Sequence, residues 1–264
     1  MMKWVFILGG SSGFGLATAK LFAEKGYNIF IVHRDRKAAL KEVENDFEDI
    51  RKKDVLLVSV NTNALIKDGR ILILEKLKET LGANDKIEVY LHSVADGNIK
   101  QIINSSENIL EKESLTEEDY QHTVNAMGIS FVTWSKLLLE NNFFSKQARI
   151  IGITSEGSQK VISGYSAVGA AKSVLESACR YLAIELAQFG ITTNLINAGV
   201  TDTAALRAIP NYEKILAHSK LRNPFNRLTC PEDVAKVIYL LSSEYASWIN
   251  GEIIRVDGGE QLTV

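Results

Sequence analysis

The sequence predicts one α/β domain: a doubly wound, seven-stranded parallel sheet with helices on both faces. Three observations carry this expectation. Short, near-continuous apolar runs alternate with longer segments of helical periodicity along most of the chain. The three prolines, Pro210, Pro224 and Pro231, all fall late, so the first two hundred residues can alternate strand and helix without interruption. A length of 264 residues with 46% hydrophobic content suits a single large core over 1–264 that needs no disulfide or metal.

Taken in order, residues 4–8 form a buried-strand run, and a helical pattern follows over 15–25. A second strand spans 28–32 and a charged helix 37–53; a third strand spans 55–60 and a helix 65–81; a fourth strand spans 87–91. Thr116 with Asp119 three residues on is a capping-box variant, and it opens a long helix to about residue 139. A fifth strand at 149–153 leads to a helix at 163–188. A sixth strand at 192–196, a helix at 231–241 and a seventh strand at 252–256 complete the pattern. Two stretches without clear periodicity, 93–115 and about 198–230, start at the carboxyl ends of strands. Doubly wound sheets bind ligands there, and the second stretch reads as a substrate loop.

The formal net charge of −2 argues against a general electrostatic grip on nucleic acid or an anionic membrane. The two cysteines, Cys179 and Cys230, have no zinc spacing and read as reduced thiols, so no metal is expected. The apolar run after Lys3 is too short for a secretory segment, and no stretch is long enough to span a bilayer, so a cytoplasmic location is expected.

Gly9-Gly10-Ser11-Ser12-Gly13-Phe14-Gly15 follows the first strand and opens the first helix. Glycines permit a tight turn and let backbone N–H groups reach a phosphate at the positive helix end. This makes Gly9, Ser11, Ser12, Gly13, Phe14 and Gly15 candidate dinucleotide contacts on a Rossmann fold. The second strand ends in His33-Arg34-Asp35. An acidic residue there would bind a ribose diol, whereas an Arg accommodates the 2′-phosphate of NADP. Arg34 comes first and offers a bidentate fork, so NADPH is favoured over NADH. The competing reading makes Arg34 a solvated charge and Asp35 a helix cap. Asn61, after the third strand, is either an adenine contact or a turn residue.

Tyr165 and Lys172 are seven residues apart in a helical pattern, nearly two turns, which puts both on one face about 10 Å apart along the axis. A phenol can donate to a developing oxyanion, and a neighbouring ammonium can lower its pKa and hold ribose hydroxyls. On spacing alone, a packed Tyr and a solvated Lys remain open.

At this point the chain resembles the short-chain dehydrogenase/reductase family over essentially its whole length. The resemblance rests on Gly9-x3-Gly13-x-Gly15, Asn125, the Tyr/Lys helix, the run from Asn194 through Gly199 to Thr203, and Val256-Asp257-Gly258-Gly259. Ordinary members use Tyr-x3-Lys. Here Val168 stands four before Lys172 and Gly169 four after Tyr165. Tyr-x6-Lys is the spacing of the bacterial enoyl-acyl-carrier-protein reductases within that family. Leu91-His92-Ser93-Val94-Ala95 and Thr201-Asp202-Thr203-Ala204-Ala205-Leu206 are also similar to their segments. The glycine turn and Arg34 are similar to the NADPH-using branch.

The resemblance implies catalytic roles for Tyr165, Lys172, Asn125 and Ser155. It implies cofactor contacts from Ser93, Val94, Ala95, Lys172, Gly199, Val200, Thr201 and Thr203, and a substrate loop including Ala204, Leu206 and Tyr212. It also implies an acyl thioester substrate on acyl carrier protein and a homotetramer. Two departures stand out. Ser155 replaces a second tyrosine ten residues before Tyr165 and also occupies the serine place of ordinary members, so it either hydrogen-bonds the substrate carbonyl or simply ends the fifth strand; Leu8 stands where Thr is usual.

In enoyl reduction, hydride goes to the β-carbon and negative charge gathers on the thioester oxygen. The oxyanion is thereby displaced from the hydride acceptor, which agrees with a Tyr moved farther from Lys. A carbonyl or alcohol oxidoreductase acting on a substrate such as a 3-ketoacyl thioester, and a non-enzymatic nucleotide-binding scaffold, are the other two readings. Tyr165, Lys172 and Arg34 speak against the last.

Overall fold

The computed structural model describes residues 2–103, 114–209 and 211–263. Seven strands, β1 (Lys3–Leu8), β2 (Asn28–His33), β3 (Leu57–Asn61), β4 (Lys86–His92), β5 (Phe144–Thr154), β6 (Thr192–Ala198) and β7 (Ile253–Val256), form one sheet. Their order is β3-β2-β1-β4-β5-β6-β7 and every neighbouring pair is parallel. The helices among the described residues are α1 (Gly13–Glu24), α2 (Leu40–Arg51), α3 (Lys67–Thr80), α4 (Glu117–Val124), α5 (Ser130–Glu140), α6 (Ser166–Leu186), α7 (Ala204–Arg207), α8 (Tyr212–Arg222) and α9 (Pro231–Ser242).

Apolar runs became strands here because both faces of each strand are covered. Successive β1 side chains point to opposite sides. Trp4, Phe6 and Leu8 join a cluster with Ile73 of α3, Phe131 and Trp134 of α5, and Leu175 and Leu182 of α6. Val5 and Ile7 join Phe22 of α1, Phe47 of α2, and Val234 and Ile238 of α9. The strand order reverses between β1 and β4, and the crevice at their carboxyl ends is where a doubly wound sheet holds its ligand.

Of the differences from the sequence pattern, four have clear local reasons. α2 starts at Leu40 because residues 36–39 close a turn, with the Ala39 amide donating to Arg36. α3 starts at Lys67 because the Asn63 side chain accepts from the Leu65 amide and holds a turn before it. The long helix expected after Thr116 is capped as predicted but interrupted by a π-helical turn, Asn125–Ile129. At Gly128 in that turn a Cβ would stand 2.8 Å from the Ala171 carbonyl oxygen, so the bulge lets its backbone press on α6. α6 starts at Ser166, not 163, because Gly164 is left-handed at φ +74°.

The stretch over 198–230 is more ordered than its sequence suggests. Thr203 caps α7 by accepting from the Leu206 amide at 3.3 Å, and α8 follows from a left-handed Asn211. Residues 104–113 of the 93–115 stretch, and Pro210, lie outside the described residues. Cys179 is buried and free, its thiol pushed up to about 12 by burial. No helix among the described residues is long and apolar enough to cross a membrane.

Candidate active site

The glycine turn sits at the crevice. Gly9 has φ +82°, its amide donates to Val32 at 2.8 Å, and a Cβ there would collide with the Ser93 carbonyl oxygen. A Cβ at Gly15 would collide with the Gly9 carbonyl oxygen. Ser12 is the extended N-cap of α1 but makes no capping hydrogen bond, and the first turn carries no acidic side chain. The N-terminal amides of Gly13, Phe14 and Gly15 therefore face the crevice without a built-in anion, which fits a dinucleotide phosphate. The Thr203 methyl lies 3.5 Å from the Cβ position of Gly13, so the loop after β6 folds over the turn. Within that loop Gly199 donates to Val256 at 3.0 Å, buried Thr201 donates to the Gly199 carbonyl at 2.9 Å, and the Val200 amide donates to Glu260 at 3.1 Å. The Ser93 amide donates to Leu8 at 2.8 Å, which keeps Ser93, Val94 and Ala95 beside the turn.

At the end of β2, buried His33 hydrogen-bonds the Asp35 carboxylate at 2.7 Å and packs edge-on against Phe47. Asp35 therefore does not cap α2; its carboxylate is turned back to His33 and its backbone is held by both amide atoms of Asn61, at 3.1 and 3.0 Å. That clamp is a turn role for Asn61. Arg34 is left as the half-exposed charge at the strand end, paired with Asp96 at 3.0 Å, and His122 approaches the same carboxylate at 3.2 Å. Asp96 carries no motif and is found only by the fold.

At the other end, Tyr165 is the residue that caps α6 rather than one inside it, and its carbonyl accepts the Gly169 amide at 2.7 Å. The Tyr165 hydroxyl lies 3.4 Å from Ser155 Oγ. Lys172 is not a solvated lysine. It is buried, and Nζ donates to the Ile153 carbonyl of β5 at 2.7 Å. Burial lowers its pKa to about 8, opposed by Glu176 one turn farther along α6. Glu176 is itself buried and accepts from Thr154 at 2.7 Å.

The expectation that Lys172 lowers the phenol pKa is corrected. Burial of Tyr165 raises it, and only the Ser155 hydrogen bond opposes that. The phenol is thus a protonated donor at neutral pH. His92, one residue before Ser93, is fully buried against Ser130 at 2.7 Å with a pKa lowered to about 3 by burial and then by the Lys172 charge, so it stays neutral and is no acid.

The two positions of an ordinary Tyr-x3-Lys pair are structurally closed. Val168 is buried among Ala126, Met127 and Ala171. Gly169 backs onto Gly157, whose carbonyl oxygen would lie 2.6 Å from any Cβ there. Gly157 in turn backs the Tyr165 ring, with Cε1 and Cδ1 only 2.5 and 2.6 Å from its own Cβ position. These glycine contacts were invisible in the sequence. Asn125 opens the π-turn, and its neighbours Ala126 and Met127 pack on Val168 and Ala171, on the Lys172 helix. Of the expected substrate loop, Leu206 is half-buried and Ala204 exposed in α7, while Tyr212 is half-buried at the start of α8. Among the described residues no cluster could hold a metal ion.

An anion cradle, a buried ammonium and a half-buried phenol donor along one crevice suit a nucleotide-dependent reaction that builds negative charge on oxygen. Comparison with known proteins agrees. The sequence profile of the family described as Enoyl-(Acyl carrier protein) reductase matches residues 9–261. An enoyl-(acyl-carrier-protein) reductase (NADH) from Buchnera aphidicola is 34% identical over 150 residues, and the match spans 57% of this chain and 57% of that relative. A probable 2,4-dienoyl-CoA reductase from Bacillus subtilis is 28% identical over 98% of this chain and 97% of its own length. The crystal structure of an Aquifex aeolicus enoyl-(acyl-carrier-protein) reductase (NADH) superimposes with a TM-score of 0.81 at 24% identity, covering 99% of this chain and 97% of that one, which speaks to the fold.

Proposed function

This chain belongs to the enoyl-(acyl carrier protein) reductase family, a group of nicotinamide-dependent oxidoreductases within the short-chain dehydrogenase/reductases, and we propose that it reduces the trans-2 double bond of an enoyl thioester with NADPH. The observation that carries this reading is the displaced phenol. Tyr165 sits at the α6 cap, seven residues from buried Lys172, while the nearer position, four before the lysine, is filled by Val168, buried among Ala126, Met127 and Ala171.

The cofactor, when bound, supplies the hydride. Gly13, Phe14 and Gly15 amides would hold its phosphates, and Arg34 would exchange Asp96 for the 2′-phosphate. Lys172 would hold the nicotinamide ribose from its anchor on Ile153, and Asn125 opens the π-turn whose Ala126 and Met127 pack on the same helix. Tyr165 donates its hydrogen bond to the thioester oxygen as enolate charge gathers, and Ser155 steadies the phenol. The names of the enoyl-(acyl-carrier-protein) reductase relatives specify NADH, so the NADPH preference rests on Arg34 and on Asp35 being spent on His33.

We further propose an acyl carrier protein as carrier, a cytosolic location, and a homotetramer. The last is supported by exposed Val174, Tyr181 and Ile184 on α6. A second reading, a carbonyl reductase of the same family, is favoured by Ser155, which occupies the serine place of ordinary members and touches the phenol.

Tyr165→Phe tests the proposal. Loss of a positioned donor to an oxyanion costs ~3 kcal/mol, about a hundredfold in turnover. NADPH affinity should hold within about twofold because the ring and Lys172 remain. Unchanged turnover of an enoyl thioester would remove Tyr165 from the chemistry.

A further inference from the structure

Behind the phenol lies a network of charges that the reaction as described does not use. Arg222, the last residue of α8, donates to both Glu156 oxygens at 3.3 and 3.4 Å and to Glu260 at 2.9 Å. Its side chain is 11% exposed, that of Glu156 19% and that of Glu260 1%. Lys160 closes on Glu156 at 2.9 Å, and the second Glu260 oxygen accepts the Val200 amide at 3.1 Å. Two cations and two carboxylates thus balance. Such a network is a poor stability device, because desolvation offsets most of what the pairing gains. One guanidinium nitrogen, Nε of Arg222, is even left buried without a partner.

What the network does achieve is connection. Glu156 lies between Ser155, whose hydroxyl touches the Tyr165 hydroxyl, and Gly157, which backs the Tyr165 ring. A shift of Glu156 moves both supports of the phenol at once. Arg222 holds Glu156 from the far end of the substrate segment, and Glu260 ties the same guanidinium to the loop of Gly199, Val200 and Thr201. We propose that Glu156 and Arg222 are positioning residues, a brace that transmits the seating of α8 and of the cofactor loop to the orientation of the Tyr165 hydroxyl. The inference rests on Tyr165 acting as the oxyanion donor, and it adds the residues that aim it.

The test is a mutant cycle on the full chain. Misplacing a reacting group by about 1 Å can cost on the order of a hundredfold. Glu156→Ala should therefore lower turnover roughly ten- to a hundredfold with NADPH affinity essentially unchanged. Glu156→Gln, which still accepts from Arg222, should recover most of the rate. In the Tyr165→Phe background, Glu156→Ala should have almost no further effect, because its target is gone. Equal losses in both backgrounds would overturn the brace.

The cycle is read on whichever thioester the wild type reduces fastest. An error in the enoyl reading then shows in the wild-type preference and not in the cycle. An arm independent of turnover uses Arg222→Met combined with Glu260→Gln, which leaves no buried unpaired charge. With NADPH present, amide hydrogen exchange over residues 155–165 should quicken in this variant while that of α1 stays put. Unchanged exchange over 155–165 would equally overturn the proposal.

Discussion

Replacing Lys172 by Met should make the protein more stable as it destroys activity. The ammonium is buried, and its pKa falls from 10.5 to about 8. A depression of that size corresponds to ~3 kcal/mol of cost for holding the charged form in the fold. Met removes the charge at similar length but also removes the hydrogen bond to Ile153, worth ~1 kcal/mol. The net expectation at pH 7 is a gain of ~1–2 kcal/mol, or a melting temperature higher by about 2–6 °C.

The pH dependence fixes the cause. Below about 8, folded and unfolded chains both carry the proton and the cost is fully present. Between about 8 and 10.5 the unfolded chain holds more protons than the folded one, so wild-type stability rises with pH. The advantage of Lys172→Met should therefore shrink across that window. Thermal melts of both proteins from pH 7 to 10 measure it. A variant less stable than wild type at pH 7, with a gap that ignores pH, would refute the reasoning.

Two further outcomes follow from the site geometry. Arg34→Ala should raise the Michaelis constant for NADPH roughly tenfold or more, the worth of a charge-assisted hydrogen bond, and that for NADH far less; equal effects in steady-state kinetics would remove Arg34 from the 2′-phosphate. Gly157→Ala brings a Cβ to 2.5 Å from the Tyr165 ring, which must move by about 1 Å. Turnover should fall by about a hundredfold with NADPH binding intact, and full activity would show that the ring tolerates displacement.

The strands were legible because each is apolar on both faces, as Trp4 to Leu8 with alternate residues in two clusters illustrates. The glycine turn was legible because Gly9 and Gly15 occupy backbone space no side chain can share. Tyr165 and Lys172 were visible as a spacing. Their environment was not. The sequence suggested a charged lysine lowering the phenol pKa, whereas desolvation dominates both groups and raises that of Tyr165. The π-turn that carries Asn125 depends on close approach of Gly128 to α6, a contact between distant segments. α8 was hidden because it exposes most of its surface and has no strong apolar stripe. Asp96, Glu156, Arg222 and Glu260 carry no motif at all; apart from Lys160 beside Glu156, their partners lie far away along the chain, and only the folded sheet brings them together.

On the proposed function, the displaced phenol serves an enolate oxygen and not a carbonyl being reduced directly. The most direct measurement is the initial rate of NADPH oxidation by the wild-type protein with a short trans-2-enoyl thioester beside the 3-ketoacyl thioester of equal chain length, on the same carrier, with the products identified by mass. The saturated thioester is expected as product, with a clear preference for the enoyl substrate. Faster reduction of the 3-ketoacyl thioester, with the 3-hydroxy product, would contradict it and leave the carbonyl reductase reading in its place.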